Sequence, residues 1–102
     1  MREILVDATG DENRSIQALP GDRVVVRLPE NPTTGYRWEA EPSAAVEALE
    51  PRFHAPPPGP AGAGGEREFA FVVSAPGEVC FRHRRAWEAA GPPRFRLEIH
   101  PP

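Results

Sequence analysis

The chain has 102 residues, 39% of them hydrophobic, which suits one packed core and a single domain spanning 1–102. Its 14 prolines far exceed the usual share of about 5%, and they work against long helices, because an interior proline removes a backbone donor and crowds the preceding turn. All 12 positive charges are arginines, and the net charge of −3 excludes a general attraction to nucleic acid or to an anionic membrane.

The amino-terminal stretch MREILVDATGDENRS lacks the apolar run of an export signal, and no segment approaches the roughly 18 apolar residues of a membrane span. The compartment expected is the cytoplasm, or the exterior if a leader has been removed. Ile4 and Val6 predict a short strand, and Ile16 with Leu19 predicts a second before the Pro20-Gly21 turn. From 22 to 28, Val24, Val26 and Leu28 fall on one side and Arg23, Val25 and Arg27 on the other, the period-two pattern of a half-buried strand that Pro29 closes.

Asn31-Pro32-Thr33-Thr34-Gly35 follows as a shaped turn. Pro32 fixes one angle, Asn31 bonds nearby backbone and Gly35 accepts a positive φ, so two adjacent hydroxyls are carried on a defined bend. The residues alone fit either a binding loop or an ordinary turn with local threonine bonds. Tyr36 and Trp38 alternate with Arg37 and Glu39 in the next strand, aromatic side toward the core. Segment 43–50 has helix formers but is fenced by Pro42 and Pro51, and is read as a connection.

The run 56–65, Pro-Pro-Pro-Gly-Pro-Ala-Gly-Ala-Gly-Gly, has little to bury. It is read as a long exposed loop inside the domain, because the flanking strands are too few for two cores. Its end, Gly62-Ala63-Gly64-Gly65, fits either solvated flexibility or close main-chain approach by another protein. A phosphate loop is excluded by the missing lysine and strand-to-helix context. Phe69, Phe71 and Val73 then alternate inward, and Pro76-Gly77 predicts a hairpin turn into a strand from Val79 to about Arg84. The following loop, 84–93, carries Arg85 and Trp87, the latter suited to covering local structure or to anchoring a partner. Phe95, Leu97 and Ile99 face inward on the last strand, against Arg94, Arg96, Glu98 and His100.

About seven or eight short strands without a crossover helix predict an all-β fold of two packed antiparallel sheets. Cys80 cannot form an intrachain disulfide and reads as a partly covered structural thiol. The three histidines have no metal-ligating spacing, and no nucleophile, base and polarising group converge, so no metal, no cofactor and no catalytic residue is expected.

Taken in order, Asn31-Pro-Thr-Thr-Gly35 with Tyr36 and Trp38, Gly62-Ala-Gly-Gly65 before an alternating strand, and Arg85-Ala-Trp87 before the last strand resemble the chagasin family of cysteine peptidase inhibitors. The resemblance implies an immunoglobulin-like β-sandwich whose three loops occupy the cleft of a papain-like cysteine peptidase, reversibly and without covalent chemistry. It implies that Thr33 and Thr34 lie beside the catalytic cysteine and histidine. Gly62 to Gly65 would make backbone contacts on the unprimed side, and Trp87, with Arg85 at its edge, would pack on the primed side. Two departures stand out: Ala86 where the family has proline, and His83 where it often has tyrosine. The competing expectation is a sandwich with the same loops that recognises a non-peptidase protein.

Overall fold

The computed structural model describes residues 2–10, 12–55, 64–88 and 93–102. Among these the chain forms β1 (Glu3–Asp7), β2 (Glu12–Gln17), β3 (Arg23–Glu30), a 3-10 turn (Pro32–Thr34), β4 (Arg37–Ala40), β5 (Val46–Ala48), β6 (Arg52–His54), β7 (Gly65–Val73), β8 (Gly77–Arg84) and β9 (Phe95–His100). The strands make two facing sheets. One runs β1-β3-β7-β5 with β6 also on β7, and the other runs β2-β9-β8-β4.

The fold is the expected all-β sandwich, consistent with the immunoglobulin-like class. Val24, Val26, Leu28, Trp38, Phe69, Phe71, Phe95, Leu97 and Ile99 all belong to one buried cluster between the sheets, as their alternation requires. Phe81 sits at its centre, with ring centroids 5.2 Å from Phe69, 6.0 Å from Phe71 and 5.3 Å from Phe95. Val25 is also buried, on the opposite face, where Leu5 and Ala70 flank it in register.

Several local expectations change. The sheets are mixed rather than wholly antiparallel, because β1 runs parallel to β3 and β2 runs parallel to β9. Consecutive strands at this end of the chain swap sheets, so no tight hairpin forces an antiparallel partner on them. The strand containing Ile16 starts earlier and ends at Gln17, leaving Leu19 outside it and exposed. Pro29 does not close β3. Odd-numbered positions of that strand bond toward β1, as Arg23 N–H to the Arg2 carbonyl and Ala8 N–H to the Arg27 carbonyl show. The β1 pairing ends at Asp7–Arg27, so at Pro29 the ladder needs no donor on that side.

The predicted β7–β8 hairpin is replaced by a crossing between sheets: β7 pairs with β3, β5 and β6, whereas β8 pairs with β4 and β9. Segment 43–50 is not only a connection, since it contains β5, and the short β6 follows it. Both are antiparallel to β7. The expected exposed loop over 56–65 falls outside the described residues except for Gly64 and Gly65, and the strands described on either side of it, β6 and β7, are neighbours in one sheet.

Register decides where the loops go. Glu30 lies opposite Gly65, Arg37 opposite Arg84, and Phe81 opposite Phe95. The turn at 31–36, Gly64 and the turn after Arg84 consequently stand at the same end of the sandwich.

Candidate functional site

The first loop is braced from within. Asn31 Oδ1 accepts from the Thr33 amide at 3.1 Å and the Thr33 hydroxyl at 2.7 Å. The Asn31 carbonyl accepts from the Thr34 amide at 3.2 Å and the Thr34 hydroxyl at 2.8 Å. The Tyr36 amide then donates to Thr34 Oγ1 at 3.3 Å. Both threonines remain exposed, while their hydroxyl protons are spent inside the loop. Pro32 opens the 3-10 turn, and Gly35 ends the bend at φ +79°, the left-handed region that glycine enters without strain.

The third loop locks onto the first. The Glu88 amide donates to the Arg85 carbonyl at 3.1 Å, closing a turn, while Arg84 Nη1 donates to the Glu88 carbonyl at 2.9 Å. Arg85 Nε donates to the Thr34 carbonyl at 3.1 Å. Its guanidinium lies 4.5 Å from the Tyr36 ring centroid and 5.8 Å from that of Trp87. A Cβ built on Gly35 would stand 3.4 Å from Trp87 Cη2, so the indole edge rests over that glycine.

These contacts extend a column that starts in the core. Trp38 stacks on His83 at 4.4 Å and 6°, and His83 meets Tyr36 at 5.3 Å. Arg85 then covers Tyr36, and Trp87 follows at the tip. Trp38 is 6% exposed and Trp87 is 75% exposed, so the column passes from interior to solvent within one cluster. Tyr36 is only half-buried, serving this stack rather than the central core.

The glycine loop is described only from Gly64; Gly62 and Ala63 lie outside the described residues. Gly64 is exposed beside the first loop, its built Cβ falling 3.5 Å from the Glu30 carbonyl and 3.6 Å from Asn31 Cβ. Gly65 is buried. Any side chain there would collide with the His54 carbonyl and the Phe53 ring, so this glycine is required by the approach of β6. The structure thus brings Asn31, Thr33, Thr34, Gly35, Gly64, Arg85 and Trp87 to one end, with Gly65 beneath them.

Three contributors were not singled out from the sequence. Glu30 is 3% exposed and bonds to the base of the first loop, and its signal was a charge at the inward parity of Val24, Val26 and Leu28. Gly10, at φ +90°, leaves only 3.0 Å between a built Cβ and Trp38 Cζ2, so it seats the indole. His83 was noted only as a departure, and its place between two rings depends on cross-strand register with Trp38.

Cys80 lies on β8, where its thiol donates to Glu78 Oε1 at 3.1 Å. Burial, reinforced by the Glu78 carboxylate, pushes its pKa up to about 11. Among the described residues no group of His, Cys, Asp and Glu is placed to hold a metal ion, and no helix is long and apolar enough to cross a membrane.

Comparison with known proteins agrees with this geometry. The family model described as chagasin family peptidase inhibitor I42 matches residues 17–99. Chagasin of Trypanosoma cruzi is 33% identical over 88 residues, covering 78% of this chain and 80% of that protein. The crystal structure of a cysteine protease inhibitor from Entamoeba histolytica superposes with a TM-score of 0.65 at 20% identity, covering 97% of this chain and 96% of the other. The solution structure of amebosin gives 0.63 at 21% identity, covering 96% and 98%.

Proposed function

The chain belongs to the chagasin family of peptidase inhibitors, and from that membership we propose that it is a reversible, competitive inhibitor of papain-like cysteine peptidases that blocks the cleft with its three loops. The observation that carries this reading is the position of Trp87. It is a large aromatic left 75% exposed, yet held from behind by Gly35 and Arg85. An exposed anchor of this kind gains most of its buried area only when a partner arrives.

In this reading Thr33 and Thr34 enter beside the catalytic cysteine and histidine, with Asn31, Pro32 and Gly35 holding their bend. Gly62, Ala63, Gly64 and Gly65 form the unprimed-side strip, and Trp87 with Arg85 fills the primed side. The Asn31 and Thr34 carbonyls already accept internal donors, which supports a wedge that fills the cleft without offering a free scissile carbonyl. The Arg85–Thr34 bond ties the first loop to the third, so part of the ordering entropy is lost before binding rather than during it.

Titration of a papain-like peptidase with and without excess of a small active-site ligand tests the proposal. Competition is expected. Binding that the ligand does not displace would instead favour a module recognising another surface or another protein.

Ala86 offers a second test. It follows Arg85 in the turn closed by the Arg85–Glu88 bond, the position where proline is favoured. Among the described residues its amide donates to no acceptor, so Ala86→Pro breaks none of the bonds described for this loop. The substitution should add about 0.4–1 kcal/mol of stability and tighten inhibition modestly by ordering the free loop. Weaker inhibition would mean that the third loop needs an angle proline cannot adopt.

Cys80 takes no part in this scheme. Its raised pKa keeps the thiol protonated at neutral pH, and it lies on a strand rather than on a loop. Cys80→Ser is expected to leave the inhibition constant near wild type, with circular dichroism confirming the fold. A mixed disulfide trapped with the peptidase would contradict this.

A further inference from the structure

We propose that Glu30, held by Arg67, is a positioning residue that closes the base of the first loop and sets how Asn31 to Gly35 are presented to the peptidase. The inference rests on the inhibitor reading above. Its structural basis lies in the topology.

The first loop leaves β3 in one sheet and enters β4 in the other, so no strand ladder bonds its two ends together. Side chains make the closure instead. Glu30 Oε1 accepts from the Trp38 amide at 2.7 Å, joining the last residue before the loop to β4 beyond it. Trp38 Nε1 donates to the Pro29 carbonyl at 2.8 Å, a second tie across the same base. Glu30 Oε2 accepts from Arg67 Nε at 3.1 Å and Nη2 at 2.6 Å, which anchors the carboxylate to β7.

The Glu30 side chain is 1% exposed and that of Arg67 is 21% exposed. Burying a charge in this way is a poor route to stability, since desolvation offsets most of the attraction and an apolar pair often does as well. A carboxylate does something here that an apolar side chain cannot. Each of its oxygens is an acceptor, one facing a backbone amide and the other a guanidinium. Glutamine has one acceptor and one donor group, so it would turn a donor toward either Trp38 N–H or Arg67. Trp38 is also the first member of the ring column that leads to Trp87, so the clamp reaches the first loop directly and the third through the stack.

The experiment compares wild type, Glu30→Gln, Arg67→Lys and the remote core variant Val79→Ala, each at a temperature where it is folded. Two quantities are read: the inhibition constant against papain, and amide hydrogen exchange at Trp38 relative to the β7 ladder. If the competent loop is populated only about a tenth of the time without the clamp, inhibition by Glu30→Gln weakens about tenfold. Trp38 exchange should accelerate beyond the change in the ladder amides. Arg67→Lys, keeping charge but losing the two-pronged contact, should shift both in the same direction by less. Val79→Ala should lose stability without weakening inhibition.

The proposal is overturned if Glu30→Gln inhibits like wild type, or if its loss is no larger than that of Val79→Ala at matched stability. It is equally overturned if Trp38 exchange follows the global change alone. Should Glu30→Gln fail to fold, Arg67→Lys decides by the same two readouts. If the wild-type chain does not inhibit papain, the inhibitor reading fails on that measurement, whereas the exchange comparison still judges the clamp.

Discussion

Phe71→Ala is expected to lower the unfolding free energy by about 3–5 kcal/mol, the usual loss when a fully enclosed phenylalanine leaves a cavity that its neighbours only partly fill. The ring is 1% exposed, lies opposite Val24 in the β3–β7 pairing, and meets Phe81 of the other sheet edge-on at 6.0 Å. Its removal therefore weakens the contact between sheets as well as the packing within one. Domains of this size are stable by about 5–15 kcal/mol, so the variant should keep its fold at low temperature yet melt well below wild type. Urea unfolding gives the free energy directly. An unchanged value would mean that Phe71 does not fill the core.

How much of this was legible in the sequence depends on the range of the interaction involved. Val24, Val26 and Leu28, and again Phe95, Leu97 and Ile99, declare their strands because alternation is a local property and one buried face enforces it. Pro76-Gly77 declares a change of direction equally well. It does not declare which sheet receives β8, since that depends on partners distant in sequence, and the hairpin expected there is absent. The three-residue strands Val46–Ala48 and Arg52–His54 are too short for periodicity to register, and β7 defines them by offering an edge.

The loops show the same division. Asn31 to Gly35 are shaped by bonds within their own segment, so their bend follows from residue chemistry alone. The union of Arg85 with Thr34 spans 51 positions and that of Arg67 with Glu30 spans 37, and neither has a local signature. Glu30 was visible only as a charge at an inward parity, a conflict between pattern and chemistry of the sort that marks a functional or strained place.

On the proposed inhibitory reading, Trp87→Ala should weaken peptidase binding by at least about 2 kcal/mol, roughly a thirtyfold rise in the inhibition constant, because truncating the proposed anchor would leave its pocket on the partner unfilled. Thermal unfolding should stay at the wild-type value. Trp87 is 75% exposed, and among the described residues it lies over Gly35 and beside the guanidinium of Arg85. Thr33→Ala sets the scale for the other loop: its hydroxyl donates to Asn31 Oδ1 at 2.7 Å, and losing one such bond should cost about 0.5–1.5 kcal/mol of binding by loosening the bend. Both variants should remain competitive with a small active-site ligand. Equal inhibition by wild type and Trp87→Ala would remove the primed-side anchor, and a lowered melting temperature would show that the indole supports the loop instead. The ordering of the two losses matters most, because a loop that merely fills space would respond to truncated volume anywhere, whereas an anchor on a braced column concentrates its loss at the tip.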